Sequence, residues 1–198
     1  MNQKTLDLIG RRHTVENVKE KFHMARALGF DNINMDLIMG LPGEDLDDVK
    51  HTLEEIEALN PDSLTVHSLA IKRAARLNMF KEEYADLKIS NTPEMIALSE
   101  ACARRMGMEP YYLYRQKFMA GGYENVGWCR PGTECFYNVT MMEELQTILS
   151  LGAGGVSKRV DRDTGWIERA NNPKYPLEYI RAADRLANGK RKLLFPKK

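Results

Sequence analysis

The sequence predicts an α/β layer fold, an open sheet or a barrel, followed by a smaller α+β region. Three observations carry this. Amphipathic helical spacings alternate with short apolar runs of strand length, which is the rhythm of βαβ units. Glycine and proline stand where those runs end, as at Gly40-Leu41-Pro42-Gly43. Beyond Arg115 the rhythm changes: glycines and aromatics thicken between Gly121 and Tyr137, and hairpin chemistry follows.

Each element has a local reason. Asn2 to Ile9 reads as a short helix. Thr14 is an N-cap, with Val15, Val18, Phe22, Ala25 and Leu28 on one helical face and Gly29 as the stop. Asn32 to Ile38 reads as a strand, broken by the glycines and proline that follow, which supply turn geometry. Leu46, Val49, Leu53, Ile56 and Leu59 form the next apolar stripe, on a helix from Asp45 to Leu59 whose acidic first turn suits the positive end of the helix dipole. Asn60-Pro61-Asp62 ends it, and Ser63 to Leu69 reads as a second strand, parallel to the first through a right-handed crossover. Thr92-Pro93 opens a third helix that stops at Gly107, with a strand from Glu109 to Tyr114. Later, Thr147 to Leu151 reads as a strand running into Gly152-Ala153-Gly154-Gly155. Val156 to Val160 and Trp166 to Ala170 read as a hairpin, and Pro176 to Asn188 as a last helix ending at Gly189. The domain boundary is expected near residue 115, giving 1–115 and 116–198.

Composition bounds the function. Among 198 residues, 29 Lys plus Arg balance 28 Asp plus Glu, a net charge of +1 that gives no reason to expect a nucleic-acid partner. With 43% hydrophobic and 29% charged residues the chain is an ordinary globular mixture. It has no run long enough to span a bilayer and no apolar leader at Met1-Asn2-Gln3-Lys4-Thr5, so no membrane partner is expected. Cys102, Cys129 and Cys135 are too few for a disulfide framework, which suggests a reducing cytoplasm, and their spacing matches neither a zinc ribbon nor an iron–sulfur run.

Asp36 is the first residue that points to chemistry. A parallel sheet buries both faces, and an isolated buried carboxylate costs several kcal/mol, roughly, unless a partner or ligand meets it. It lies just before a strand's carboxyl end, where α/β folds bind ligands. Capping of nearby loop amides is the plainer alternative. His67, with Ser63 and Thr65 on its face, makes a second polar strand face, although a lone histidine there is more often structural. Arg11-Arg12-His13 offers a fork of donors for an anion, or is a solvated turn. Gly152-Ala153-Gly154-Gly155 follows a strand without entering a helix, so it fails the dinucleotide fingerprint. Close approach to a flat ring and a tight turn remain equally open for it. Lys72, Arg73 and Arg76 follow a strand end and could meet acidic groups, and the tail Lys190, Arg191, Lys192, Lys197 and Lys198 reads as solvated.

Read together, Ile9-Gly10-Arg11-Arg12-His13-Thr14, then Asn34-Met35-Asp36-Leu37-Ile38-Met39-Gly40-Leu41-Pro42-Gly43, resemble the radical S-adenosylmethionine (SAM) family of oxygen-independent coproporphyrinogen III oxidases. Ser63 through Ala75 and Leu149 through Ser157 are most similar to its coproporphyrinogen dehydrogenase branch. The resemblance covers essentially the whole chain and implies the last strands of a partial (β/α) barrel plus the family's terminal domain. It implies SAM as cofactor, with Arg11 matching an arginine that contacts it (the doubled Arg11-Arg12 leaves that register open by one). Asp36 matches the acidic residue that holds the ribose, Ala70 a backbone contact to the adenine, and Val156 an apolar residue packing on the adenine. In the family a Cys-x-x-x-Cys-x-x-Cys motif holds a [4Fe–4S] cluster, and neither this motif nor the Gly-Gly-Thr-Pro motif occurs here. The chain therefore looks like the carboxyl-terminal half, needing an amino-terminal barrel half as partner and inactive alone.

For the complete enzyme the resemblance implies reductive cleavage of SAM, hydrogen abstraction from a propionate by the 5′-deoxyadenosyl radical, and loss of carbon dioxide to leave a vinyl group. This is the conversion of coproporphyrinogen III to protoporphyrinogen IX in heme biosynthesis. The porphyrinogen substrate is anionic, which makes Lys72, Arg73 and Arg76 candidate substrate contacts. A sister branch implies the alternative, a heme-binding or heme-transfer protein. A partial barrel leaves an unpaired edge near residues 32 to 38, so self-association is expected.

Overall fold

The computed structural model describes residues 1–70, 89–115 and 119–195, in two compact units, Met1–Cys135 and Phe136–Lys198. The first unit carries helices α1 (Gln3–Leu8), α2 (Val15–Ala27), α3 (Leu46–Leu59) and α4 (Pro93–Arg105) around strands β1 (Asn34–Met39), β2 (Ser63–Ser68), β3 (Glu109–Tyr114) and β4 (Asn125–Cys129). The helix starts are fixed by capping. The Thr14 side chain accepts from the Asn17 amide at 3.2 Å while Asn17 Oδ1 accepts from the Thr14 amide at 3.2 Å. Asp45 accepts from the amides of Asp47 and Asp48, and Thr92 precedes a proline in the first turn of α4. Asn60 closes α3 in the left-handed region, φ 56°.

The sheet order is β1-β2-β4-β3. β1 and β2 are parallel, as the βαβ reading requires, whereas β4 is antiparallel to both β2 and β3. The strand expected at Glu109–Tyr114 is present, but it does not extend a parallel sheet beside β2. The intervening β4 went unforeseen because Asn125-Val126-Gly127-Trp128-Cys129 is short and interrupted by glycine, which weakens a strand signal. β4 also bears on domain division: it follows residue 115 yet is hydrogen-bonded into the first sheet, and the compact units divide at residue 135.

Alternation sorts the strands into two faces. Met39, Leu64, Val66 and Trp128 join Val49, Leu53 and Ile56 of α3 and Met95, Cys102 and Ala103 of α4 in one buried cluster. Each such fully buried side chain contributes roughly 1.5–3 kcal/mol relative to exposure. At the amino-terminal ends of the strands, buried Asp62 takes the Ile33 amide at 2.7 Å and pairs with Arg26 at 2.6 Å and Arg130 at 3.5 Å.

The second unit holds α5 (Phe136–Met142), the hairpin β5 (Val156–Val160) and β6 (Ile167–Asn171), α6 (Pro176–Arg181) and α7 (Ala183–Leu194). The hairpin agrees with the sequence reading; Asp161 Oδ1 accepts from the amides of Asp163 and Thr164 across its turn. Three expectations are corrected. Thr147–Leu151 contributes only an isolated bridge, Ile148 with Lys158. The single helix expected from Pro176 is two, broken at Ala182, and α7 runs through Gly189, because a mid-helix glycine weakens a helix without ending it. Lys190 is not solvated: it is buried and its Nζ donates to the Ser150 carbonyl at 2.5 Å. Lys197 and Lys198 lie outside the described residues.

Candidate functional site

The face of the sheet opposite the apolar cluster is polar across all four strands. One register row runs Asp36, Thr65, Gly127, Tyr112 from β1 to β3. Gly127 decides the geometry of that row. A Cβ there would stand 1.9 Å from Tyr112 Cε1, so only glycine lets the tyrosine ring lie across β4. The ring reaches β2, with Tyr112 Oη 3.5 Å from Thr65 Oγ1, and Thr65 Oγ1 in turn donates to Asn34 Oδ1 at 3.1 Å. Tyr114, two residues on, stacks parallel to Tyr112 with centroids 6.3 Å apart. Its hydroxyl lies 3.2 Å from His67 Nδ1. His67 Nε2 lies 3.8 Å from Asp36 Oδ1, which accepts from the side-chain Nδ2 of Asn34 at 2.8 Å. Two connected chains of polar contacts therefore cross the sheet and converge on β1.

The electrostatics follow from these contacts. The neighbouring His67, and after it the Asn34 amide, hold the Asp36 carboxyl below the ordinary carboxylate range. Burial pushes the Tyr112 phenol up. Along the open edge of β1, a cavity of about 350 Å³ is lined by Leu6, Arg11, His13, Asp36, Leu37 and Glu44 among others. Burial raises the Glu44 carboxyl.

Asp36 departs from expectation in one important respect. β1 is an edge strand, so Asp36 is not enclosed; its side chain is 65% exposed. The cost of burial therefore gives no reason for a ligand at this position. Among the described residues of this unit the buried carboxylates are Glu44 and Asp62, and two arginines meet Asp62. Arg11 and Asp36 do share one cavity. Ala70 lies past the end of β2, bridged to Met119, where Leu69 O accepts from the Ala120 amide at 2.8 Å. Val156 begins β5 in the second unit. Lys72, Arg73 and Arg76 lie outside the described residues. The glycine loop is a tight turn: Gly154 N donates to Pro173 O, Asn172 Nδ2 to Gly152 O, and a Cβ on Gly155 would meet Ser150 Oγ at 2.3 Å. Sequence reasoning overlooked Tyr112, Tyr114 and Gly127, although two tyrosines at period two beside a glycine within a strand could have marked them.

Cys102 and Cys129 are buried and Cys135 is exposed, and burial pushes the Cys129 thiol up to about 11. Among the described residues no three His, Cys, Asp or Glu side chains converge to hold a metal ion. Among those residues, too, no helix is long and apolar enough to cross a membrane.

Residues 1–56 match the radical SAM superfamily. The chain also resembles, in fold, the coproporphyrinogen III oxidase HemN of Escherichia coli, a radical SAM enzyme, with a TM-score of 0.63 at 20% identity over 93% of this chain and 41% of that one. More particularly, it is 49% identical over 175 residues to the oxygen-independent coproporphyrinogen-III oxidase-like protein HemZ of Bacillus subtilis, covering 88% of this chain and 35% of that protein. It is 28% identical over 153 residues to the heme chaperone HemW of the same organism, 75% of this chain and 36% of that one. The chain is accordingly a relative of the radical SAM oxygen-independent coproporphyrinogen III oxidase family. It spans about a third of the length of these two relatives.

Proposed function

We propose that this chain is the carboxyl-terminal, cofactor-contacting part of a radical SAM enzyme that oxidatively decarboxylates coproporphyrinogen III to protoporphyrinogen IX, and that it is inactive by itself. The observation that carries this reading is the 49% identity to an oxidase-like relative along 88% of the chain. The polar edge of the sheet supports it: an anionic oxygen pair at Asp36 suits the hydroxyls of a ribose, and Arg11 on the same cavity suits the carboxylate of SAM. The Ala70 backbone would meet the adenine edge, and Val156 is the apolar residue proposed to pack on the adenine face. Bound SAM supplies the hydrogen-abstracting chemistry that turns a propionate into a vinyl group. This chain's own residues orient the nucleoside, and Lys72, Arg73 and Arg76 meet the propionates of the porphyrinogen. The cluster ligands come from another segment.

The open edge of β1 is the natural seat for further strands of a partial barrel, and its unpaired backbone groups invite self-association when nothing covers them. Heme carriage is the second reading, favoured by the identity to HemW. His67 is a poor iron ligand for it, because both ring nitrogens already face protein oxygens. The deciding experiment joins this chain to a segment bearing the Cys-x-x-x-Cys-x-x-Cys motif and assays decarboxylation anaerobically. Expected is vinyl formation that Asp36→Ala and Arg11→Ala abolish. A clear Soret shift on heme addition with no decarboxylation would sink the oxidase reading in favour of carriage.

A further inference from the structure

His67 stands between two oxygens of different capability. A phenol hydroxyl can donate or accept, whereas an ionised carboxylate can only accept. Tyr114 Oη is 3.2 Å from Nδ1, and Asp36 Oδ1 is 3.8 Å from Nε2. A neutral imidazole carries one proton. If that proton sat on Nδ1, the lone pair of Nε2 would face the carboxylate, an arrangement that repels. With the proton on Nε2, the ring presents N–H to Asp36 and accepts the Tyr114 hydroxyl at Nδ1. Tyr114 also packs edge-on against the ring, at 70° and 6.3 Å between centroids, which limits its rotation.

We propose that His67 is a positioning residue for Asp36: held as the Nε2–H tautomer by the acceptor-only Asp36 carboxylate, with the Tyr114 hydroxyl donating to Nδ1, it fixes Oδ1 together with Asn34 and leaves Oδ2 to accept the hydroxyls of a cis-diol ligand. The Asn34 amide, at 2.8 Å, is the shorter of the two contacts, and both fall on Oδ1. The 3.8 Å contact with His67 is electrostatic rather than a formed hydrogen bond. Among the described residues, the titratable groups that meet this histidine are Asp36 from β1 and Tyr114 from β3, with Tyr112 stacked behind Tyr114. The ligand half of the proposal rests on the ribose reading of Asp36; the tautomer half does not.

Two measurements on the 198-residue chain separate those halves. Nitrogen-detected NMR of the imidazole, without ligand and near neutral pH, is expected to show a protonated Nε2 and an unprotonated Nδ1. Asp36→Asn, whose side-chain amide can donate or accept, is expected to return the ring toward a tautomer mixture. Finding Nδ1 protonated, or a mixture in the unaltered chain, overturns the proposal. Titration with SAM by calorimetry is the second test. Glutamine retains a donor near the Nε2 position and asparagine does not, so His67→Gln is expected to bind close to the unaltered chain while His67→Asn weakens binding about tenfold. Equal binding by both overturns the positioning role, provided circular dichroism reports both folded. If instead Asp36→Asn binds SAM like the unaltered chain, or the unaltered chain binds none, the ribose reading fails, and with it the ligand half, while the tautomer stands on the NMR result.

Discussion

The two faces of the four-stranded sheet are built from alternate residues of the same strands, yet they are held by different forces. On one, Leu64 and Val66 of β2 join Met39, Trp128 and two helices in a dry cluster where nearly all the free energy is burial. On the other, Thr65 and His67 of the same strand join tyrosines, an amide and a carboxylate in chains of polar contacts. The first face specifies the fold and tolerates little change of volume. The second is expected to contribute less stability, since a net hydrogen bond is worth about 1 kcal/mol. The sharpest way to break this comparison is to truncate neighbours. Leu64→Ala is expected to cost about 2–5 kcal/mol by chemical denaturation, since Leu64 is wholly buried. Thr65→Ala, one residue on, is expected to cost about 1 kcal/mol. Equal losses would mean that the polar face also holds the fold.

A smaller effect is expected where a charge is enclosed. Asp62, at 8% exposure, serves two arginines and the Ile33 amide. Asp62→Asn retains the volume and loses the charge, for an expected loss of about 1.5–3 kcal/mol. That loss is predicted to persist at high salt, because enclosed pairs are screened weakly. A loss that salt abolishes would put Asp62 in the same electrostatic class as a surface ion pair.

Gly127 tests how the polar face is assembled. Gly127→Ala would place a methyl group inside the Tyr112 ring, and the ring must swing away, at an expected cost of about 1–3 kcal/mol. The near-ultraviolet circular dichroism of the tyrosines is expected to change with it. In a Tyr112→Ala background the same glycine substitution is expected to cost much less. A cost that is unchanged in that background would place the strain in the β4 backbone rather than in the ring packing.

Much of the apolar face was legible in the sequence, and the polar face was not. Val49, Leu53 and Ile56 repeat at helical spacing, and the Thr14 cap, the acidic turn from Asp45 and Thr92-Pro93 mark where helices begin, because these signals are local. The row Asp36–Thr65–Gly127–Tyr112 joins four strands through a β4 that the alternation of helices and strands does not foretell. Gly127 reads as a strand breaker until the ring it accommodates is known. Asp36 was singled out for burial, a premise that holds only if β1 has neighbours on both sides. As an edge strand it has one. In the second unit, Gly189 suggested a helix end and Lys190 a solvated tail, yet a distant carbonyl, Ser150 O, holds the lysine inside. Each departure arises where a partner far along the chain overrides a local preference.

The smallest expected effect lies in the contrast between the two carboxylates. His67, then Asn34, lower the Asp36 pKa in the folded protein, so its ionised form is the one that folding favours. The sign follows from linkage: the contribution is present above the unfolded pKa of about 4 and is lost as pH falls through the lower, folded value. With the side chain 65% exposed, solvent screening keeps the gain within about 1 kcal/mol. Stability measured from pH 6 down to about 2.5 should therefore fall slightly less in Asp36→Asn than in the unaltered chain. The difference is expected to appear only below about pH 4, and to shrink in 1 M salt. A gap between the two proteins that stays constant down to about pH 2.5 would remove the Asp36 carboxylate from the acid dependence.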